Sequence, residues 1–203
     1  MLIGSSSDAD DVFMFYALEK KLVKTRTPAR IFRSDIQTLN KLALRGRIDA
    51  SSVSFAAYPH FSNRYSLLSC GSSFGYSYGP IIVSRRRLNG LDGMKVAVPG
   101  KNTTAFLLLN IFYNGFTPVE MRFDRIMNAV RSGSVDAGIV LHEGQLMYRR
   151  LGLRKYSSLG ERWFEETSLP LPLGAVAVKN RIAYEASLAI KLSIAYSMAF
   201  PDG

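Results

Sequence analysis

Short apolar runs recur along the chain, and each leads through small hydroxyl, glycine or acidic residues into an amphipathic helical pattern. The apolar runs cover 2–4, 48–50, 94–100 and 135–141, and the helical patterns after them cover 12–22, 53–61, 105–112 and 144–151. Strands that alternate with helices at this spacing are typical of α/β proteins with a largely parallel sheet. The sequence therefore predicts an α/β fold.

Further elements fit the same alternation. Apolar residues at helical spacing predict helices over 35–46 and 124–133, and Asp124 is the expected N-cap of the second. A strand is predicted over 79–84, and the last helix is predicted from about Tyr184 to Ala199.

Two stretches interrupt the alternation and predict a division into two lobes. Residues 85–95 are basic and contain glycine, and residues 169–178 begin with prolines before another apolar run. Two crossovers between α/β lobes describe a hinged, two-lobed fold of the periplasmic-binding-protein type (type 2) with a central cleft. The predicted boundaries are 1–84 for the first part of lobe 1, 85–174 for lobe 2, and 175–203 for the return to lobe 1.

Polar residues follow the predicted strands at four junctions. Ligands of open parallel sheets bind beyond the carboxyl ends of the strands, where helix N-termini attract anions. Serine and threonine are also ordinary helix caps worth about 1 kcal/mol, so capping is favoured at any single junction. Several junctions that face one crevice favour ligand binding. The residues concerned are Ser5 to Asp11, Ser51, Ser52, Ser54, Thr103, Thr104 and His142.

Metal and nucleotide chemistry receive little support from the sequence. Asp8, Asp10 and Asp11 are adjacent in sequence, whereas hard metals need converging oxygens, so helix capping is favoured for two of the three. The chain has no CxxC or HExxH pattern and neither of the glycine-rich phosphate-binding fingerprints. The sequence predicts no metal site.

His142 is the strongest candidate for acid–base chemistry. It directly follows an apolar run, and a histidine at the exit of a buried strand can face a crevice and transfer protons near neutral pH. The other histidine, His60, is expected near a helix end in a surface or core role. Cys70 is expected to be a structural thiol.

The large net charge of the chain has little effect on the predicted function. The 203 residues include 26 Lys and Arg against 16 Asp and Glu, a net charge of +10. The arginines are scattered and no nucleic-acid motif accompanies them, so a solvated basic surface is favoured, then steering of an anionic substrate, and last nucleic-acid binding. A single cysteine, no secretory leader pattern and no apolar stretch of membrane-spanning length predict a cytoplasmic protein without membrane contact.

The junctions lie within strings that resemble one known family. They are SSDADDVFMFYAL (6–18), GRIDASSVSFAAYPHFSNRYSLL (46–68), YSYGPIIVSR (76–85), AVPGKNTTAFLLL (97–109), VDAGIVLHEGQLMY (135–148) and LGERWFEETSLPLPLGAVAV (159–178). Together they resemble the 1,4-dihydroxy-6-naphthoate synthases of the futalosine route to menaquinone. The resemblance implies a carbon–carbon lyase that converts cyclic dehypoxanthinyl futalosine to 1,4-dihydroxy-6-naphthoate without metal or organic cofactor.

The resemblance also implies roles for single residues. His142, in the His-Glu motif, matches the family's general base, and Asp11 matches an acidic residue given a binding or orienting role. Thr103 lies at the same junction as two of the matched substrate contacts and is also expected to bind the substrate. Those contacts carry over to Ser52, Val53, Ser54, Thr104 and Ala105.

The sequence departs from the family at both ends. Family members have a longer first strand, and they continue for several tens of residues beyond the position of Gly203. The expected fold is therefore shortened at its C-terminus, which bears on the activity of a chain of this length.

Two other functions compete with this interpretation. A chorismate dehydratase of the same pathway shares the fold, but its N-terminal Tyr-Leu-Asn string is absent here. A non-catalytic small-anion-binding protein of the same fold would keep the cleft without the chemistry, and His142 argues against it.

Overall fold

The computed structural model describes residues 1–142 and 144–200, and they form two compact units. Unit 1 comprises 1–73 with the described part of 174–203, and unit 2 comprises 74–173. The chain passes between the units at 73/74 and at 173/174. Residues 74–84, which the sequence places in the first lobe, fall in unit 2, where the strand over 81–84 pairs with the strands over 137–140 and 154–158.

The elements alternate between strand and helix over most of the chain. The strands are β1 (Leu2–Ser5), β2 (Arg30–Arg33), β3 (Ala50–Ser54), β4 (Tyr65–Leu67), β5 (Ser73–Gly75), β6 (Ile81–Ser84), β7 (Lys95–Val98), β8 (Thr117–Glu120), β9 (Ala137–Val140), β10 (Arg154–Ser158) and β11 (Leu171–Lys179). The helices are α1 (Ala9–Glu19), α2 (Ile36–Leu44), α3 (Thr104–Phe112), α4 (Phe123–Ser132), α5 (Gly144–Met147), α6 (Leu159–Thr167) and α7 (Ala183–Ala199).

The sheet of unit 1 has the strand order β2-β1-β3-β11-β4, and β5 also pairs with β11. β1 runs parallel to β2 and β3, whereas β11 runs antiparallel to β3 and β4. One apolar cluster joins β1 to α1 and α7 through Ile3, Phe15 and Ile190. A second cluster holds α2 and the following loops through Leu39 and Phe61.

The sheet of unit 2 has the strand order β10-β6-β9-β7-β8. β7 runs parallel to β8 and β9, and β6 runs antiparallel to β9 and β10. The carboxyl ends of β7, β8, β9 and β10 consequently lie at one edge of this sheet, called here the carboxyl edge of unit 2. Apolar clusters around Leu108 and Ile126 bury its two faces.

The α/β alternation is confirmed, and the sheets are mixed rather than largely parallel. The helix predicted after 48–50 is wrong, because β3 continues through Ser54 and only a short 3-10 helix, Tyr58–His60, follows. β3 pairs on both sides, with β1 and β11, and this ladder holds the serines in extended backbone. Ser51, Ser52 and Ser54 are therefore strand residues and not caps.

The structure differs from two further predictions, which concern the start of α4 and the extent of α5. Arg122 occupies the N-cap position of α4, while Asp124 lies in the first turn and accepts a hydrogen bond from Arg122. The helix predicted over 144–151 divides into α5 and a 3-10 segment, Tyr148–Leu151. Within the described residues, no helix has the length and apolarity needed to cross a membrane.

Asp49 ties together three strands of unit 1 at the amino ends of β1 and β3. Its Oδ2 accepts a hydrogen bond from the Leu2 amide at 2.9 Å, and its Oδ1 pairs with Lys179 Nζ at 3.1 Å and with Arg181 at 3.4 Å. Burial alone raises the pKa of Asp49, but these hydrogen bonds and positive charges outweigh it, so the pKa lies below its ordinary value.

We expect Asp49→Asn to destabilise unit 1 by about 1 kcal/mol at neutral pH, since a charged acceptor is replaced by a neutral amide. A depressed pKa stabilises the fold above the carboxyl's ordinary pKa, and this contribution is lost as the pH falls through the folded-state pKa. Urea unfolding at pH 7 and at pH 3 measures the difference, which should shrink in acid.

The exposed Glu165 supplies the control for this measurement. Glu165→Gln should leave the unfolding free energy unchanged at both pH values. A destabilisation by Asp49→Asn that is equally large in acid would contradict an electrostatic origin.

Candidate functional site

The junction between β7 and α3 provides an ordered helix N-terminus at the carboxyl edge of unit 2. Thr103 is the N-cap of α3: its Oγ1 accepts a hydrogen bond from the Phe106 amide at 3.2 Å and donates to the Gly100 carbonyl at 2.7 Å. The Thr103 hydroxyl is therefore engaged in capping, and it holds the first turn of the helix in place.

Thr104 and Ala105 form the first turn that this cap supports. Both are buried, at 6% and 2% exposed, and Thr104 Oγ1 donates to the Leu173 carbonyl at 2.8 Å. The first amides of a helix lie outside its internal hydrogen-bond ladder and carry partial positive charge. The start of α3 thus suits a carboxylate or another anionic group.

His142 lies at the same edge, two residues beyond the end of β9. Its side chain is exposed, and its backbone adopts the left-handed conformation with φ 46°. The next residue, Glu143, lies outside the described residues. Because β9 and β7 are parallel neighbours, His142 and the start of α3 follow adjacent strand ends.

In unit 1, Asp11 links the residue after β1 to the middle of the neighbouring strand β3. Its Oδ2 accepts a hydrogen bond from the Ser6 amide at 2.6 Å, just after β1, and its Oδ1 accepts one from Ser52 Oγ in β3 at 2.8 Å. The side chain is only 7% exposed. The capping role considered for the neighbouring aspartates is limited, because Asp8 occupies the N-cap position of α1 without a side-chain cap hydrogen bond.

Burial raises the pKa of Asp11 above its ordinary value, although the hydrogen bonds from Ser6 and Ser52 oppose the effect. The folded protein therefore retains this proton at pH values where the unfolded chain has lost it. The contribution of Asp11 to stability falls as the pH rises from the ordinary carboxyl pKa through the folded-state pKa.

Asn40 is a site residue that sequence reasoning missed. Its Nδ2 donates to Ser54 Oγ at 3.1 Å and its Oδ1 accepts from the Ser54 amide at 3.0 Å, so two hydrogen bonds hold the last residue of β3. Asn40 is 0% exposed and lies four residues after Ile36 on the apolar face of α2. A buried amide at an apolar helix position was the available signal.

The structure brings some of the predicted site residues of unit 1 into contact. In unit 1, Ser52 contacts Asp11 directly and Ser54 contacts Asn40, while the Val53 side chain packs into the core at 1% exposed. Within residues 1–142 and 144–200, no cluster of three or more His, Cys, Asp or Glu side chains could hold a metal ion.

A polar cavity of about 170 Å³ also opens within unit 2. Gln145, three residues after His142, forms part of its wall. The other lining residues are Ser77, Tyr78, Gly79, Ile81, Tyr148, Lys155, Ser158 and Glu161.

We expect Ser52→Ala to raise the pKa of Asp11 further, because the buried carboxylate loses the donor on Oδ1. A ¹³C NMR titration of the Asp11 carboxyl measures this shift. Ser54→Ala is the matched control, since Ser54 contacts Asn40, and the Asp11 titration should not change in it. An equal shift in both variants would show that the hydroxyl of Ser52 has no specific effect on Asp11.

Solved structures share the architecture. A crystal structure of an Archaeoglobus fulgidus protein superposes with a TM-score of 0.92 and 40% identity, covering 99% of this chain and 77% of that one. The alkanesulfonate-binding protein SsuA of Xanthomonas axonopodis superposes with a TM-score of 0.72 at 16% identity, covering 100% of this chain and 74% of that one. The second likeness confirms the two-lobed periplasmic-binding-protein fold class.

Curated relatives agree with the resemblance. A Thermus thermophilus protein named 1,4-dihydroxy-6-naphthoate synthase is 40% identical over 98% of this chain, which spans 75% of that protein's length. A Streptomyces coelicolor protein of the same name is 37% identical over 89% of this chain, and the match covers 66% of its length. The protein family described as Menaquinone biosynthesis matches residues 1–202. With a match over nearly its whole length, the chain belongs to the menaquinone biosynthesis family.

Proposed function

We propose that this chain is a carbon–carbon lyase that converts cyclic dehypoxanthinyl futalosine to 1,4-dihydroxy-6-naphthoate. The observation that carries the proposal is the 40% identity to the Thermus thermophilus 1,4-dihydroxy-6-naphthoate synthase over 98% of the chain. A fragmentation that ends in an aromatic ring needs a base to start it and hydrogen-bond donors where negative charge develops.

His142 is the base in this proposal. Its imidazole is exposed on a turn at the carboxyl edge of unit 2, where a substrate can reach it. A neutral imidazole nitrogen can accept a proton from the substrate, which is the step that the proposed base performs.

The start of α3 binds the substrate's carboxylate in this proposal. Thr104 and Ala105 supply the first turn of the helix, and a carboxylate there gains from the helix dipole and from amide donors. Thr103 contributes by capping that turn, because its hydroxyl already bonds Gly100 and Phe106.

The polar residues of unit 1 are proposed as further substrate contacts. Ser52 and Ser54 present hydroxyls near the end of β3, and Asp11 orients the Ser52 hydroxyl by accepting its hydrogen bond. The buried side chain of Val53 helps to hold the two serines in place and does not contact the substrate in this proposal.

The proposal places the protein among cytoplasmic enzymes of small-molecule metabolism. Its partner is a carboxylated small molecule, and neither nucleic acid nor a membrane takes part. The net charge of +10 assists the capture of an anionic substrate.

Incubation of the purified chain with cyclic dehypoxanthinyl futalosine tests the activity. Mass-spectrometric detection of 1,4-dihydroxy-6-naphthoate, in amounts that grow with enzyme concentration, is the expected result. Saturable binding of the compound without any product would favour the small-anion-binding alternative and overturn the proposed activity.

We expect His142→Asn to lower kcat by about 100-fold or more, because general base catalysis contributes on this scale. Asparagine tolerates the left-handed backbone at this position, so the turn keeps its shape. Substrate affinity, measured by calorimetry, should stay nearly unchanged while product formation is followed in parallel.

His60→Asn is the matched control, because His60 is the only other histidine and lies in a short 3-10 helix of unit 1. Its kcat should equal that of the unaltered enzyme. Near-normal turnover by His142→Asn would remove His142 from the mechanism.

A further inference from the structure

Two backbone hydrogen bonds close the turn that carries His142. The amides of Gly144 and Gln145 donate to the carbonyls of Leu141 and His142 at 3.1 and 3.0 Å, and the left-handed backbone of His142 lies inside this turn. The helix that follows, α5, has four residues, and a helix this short is not stable without outside contacts. Contacts outside the turn therefore contribute to the position of the imidazole.

One side chain anchors the turn to a distant part of unit 2. Gln145 Nε2 donates a hydrogen bond of 2.9 Å to the carbonyl of Gly79, which lies 66 residues earlier in the chain. The same residue donates its amide to His142, so Gln145 bonds both the turn and the anchor point.

The anchor point is itself held tightly. A Cβ added at Gly160, in α6, would lie 2.4 Å from the carbonyl carbon of Tyr78 and 2.5 Å from the amide nitrogen of Gly79. The backbone at 78–79 thus packs directly against the first turn of α6, where only glycine fits. The Leu159 amide also donates to the Pro80 carbonyl at 2.8 Å. The Gly79 carbonyl is consequently a rigid acceptor.

The hydrogen bond between Gln145 and Gly79 lies beside the polar cavity and is partly buried. Water competes less for a hydrogen bond in such a setting than at an open surface.

We propose that Gln145 is a positioning residue, which holds the His142 turn against the rigid backbone at Gly79 and so sets the direction of the imidazole. This inference rests on the proposed function, because it takes His142 to be the base. Gln145 acts through His142 and needs no contact with the substrate.

Gln145→Met tests the proposal, since methionine has a similar length and no hydrogen-bond donor. We expect kcat to fall by about tenfold or more, as small displacements of a catalytic group do, while KM changes by less than about twofold. Hydrogen exchange at residues 141–147 should become faster, because the turn loses its anchor. The thermal unfolding midpoint should stay close to that of the unaltered chain.

Asn110→Leu is the matched control. The Asn110 side chain also donates one hydrogen bond, of 2.8 Å, to a backbone carbonyl of unit 2, but the acceptor is Phe106 in the same helix. This variant should keep the original kcat and the original exchange rate at 141–147.

The measurements distinguish failure of the proposed lyase activity from failure of the proposed role of Gln145. An unaltered chain that forms no naphthoate defeats the proposed function, and hydrogen exchange in Gln145→Met still decides whether Gln145 holds the turn. Unchanged exchange at 141–147 overturns the positioning role, whatever the activity. A lower unfolding midpoint with normal kcat would show that Gln145 is only a structural residue.

Discussion

Parallel pairing between β7 and β9 decides what unit 2 presents at its carboxyl edge. Val96 pairs with Ala137 and Ala97 with Gly138, so the two strands end side by side. Gly138 permits this arrangement, because a Cβ there would lie 2.5 Å from Ile126 and 2.9 Å from Val130 in α4. The close approach of α4 to the sheet buries β9. The chain leaves β9 toward His142 at the same edge of the sheet as the start of α3.

The main electrostatic feature of unit 1 is a buried carboxyl group, that of Asp11. Asp11 receives donors from residues that follow or belong to two neighbouring parallel strands, so it joins β1 and β3 where their backbone pairing ends. Burial disfavours the charged carboxylate and so raises the pKa of Asp11, whereas the hydrogen bonds from Ser6 and Ser52 lower this pKa in part. A protein selected for stability alone would place an apolar residue at such a position, so this arrangement favours a functional role.

Periodicity in the sequence predicts most of the elements, because strands and helices of an α/β fold differ in the spacing of their apolar residues. It fails at Ser51–Ser54, where three serines are typical of a helix start, yet pairing with β1 and β11 keeps them in a strand. It also cannot predict the bond between Gln145 and Gly79, since contacts over 66 residues depend on how β6 lies against β9. The sequence singles out His142 as a candidate base because it directly follows an apolar run, whereas Asn40 lies on the apolar face of α2 and gives no such signal.

The left-handed backbone at His142 restricts which residues this position tolerates, in addition to the proposed need for an imidazole. β-branched residues are poorly tolerated there for steric reasons, whatever their chemistry. A saturation-mutagenesis survey would therefore show intolerance from two sources at once, the imidazole and the φ angle. Glycine and asparagine variants would separate them, since both accept the backbone while lacking the proton-transfer group.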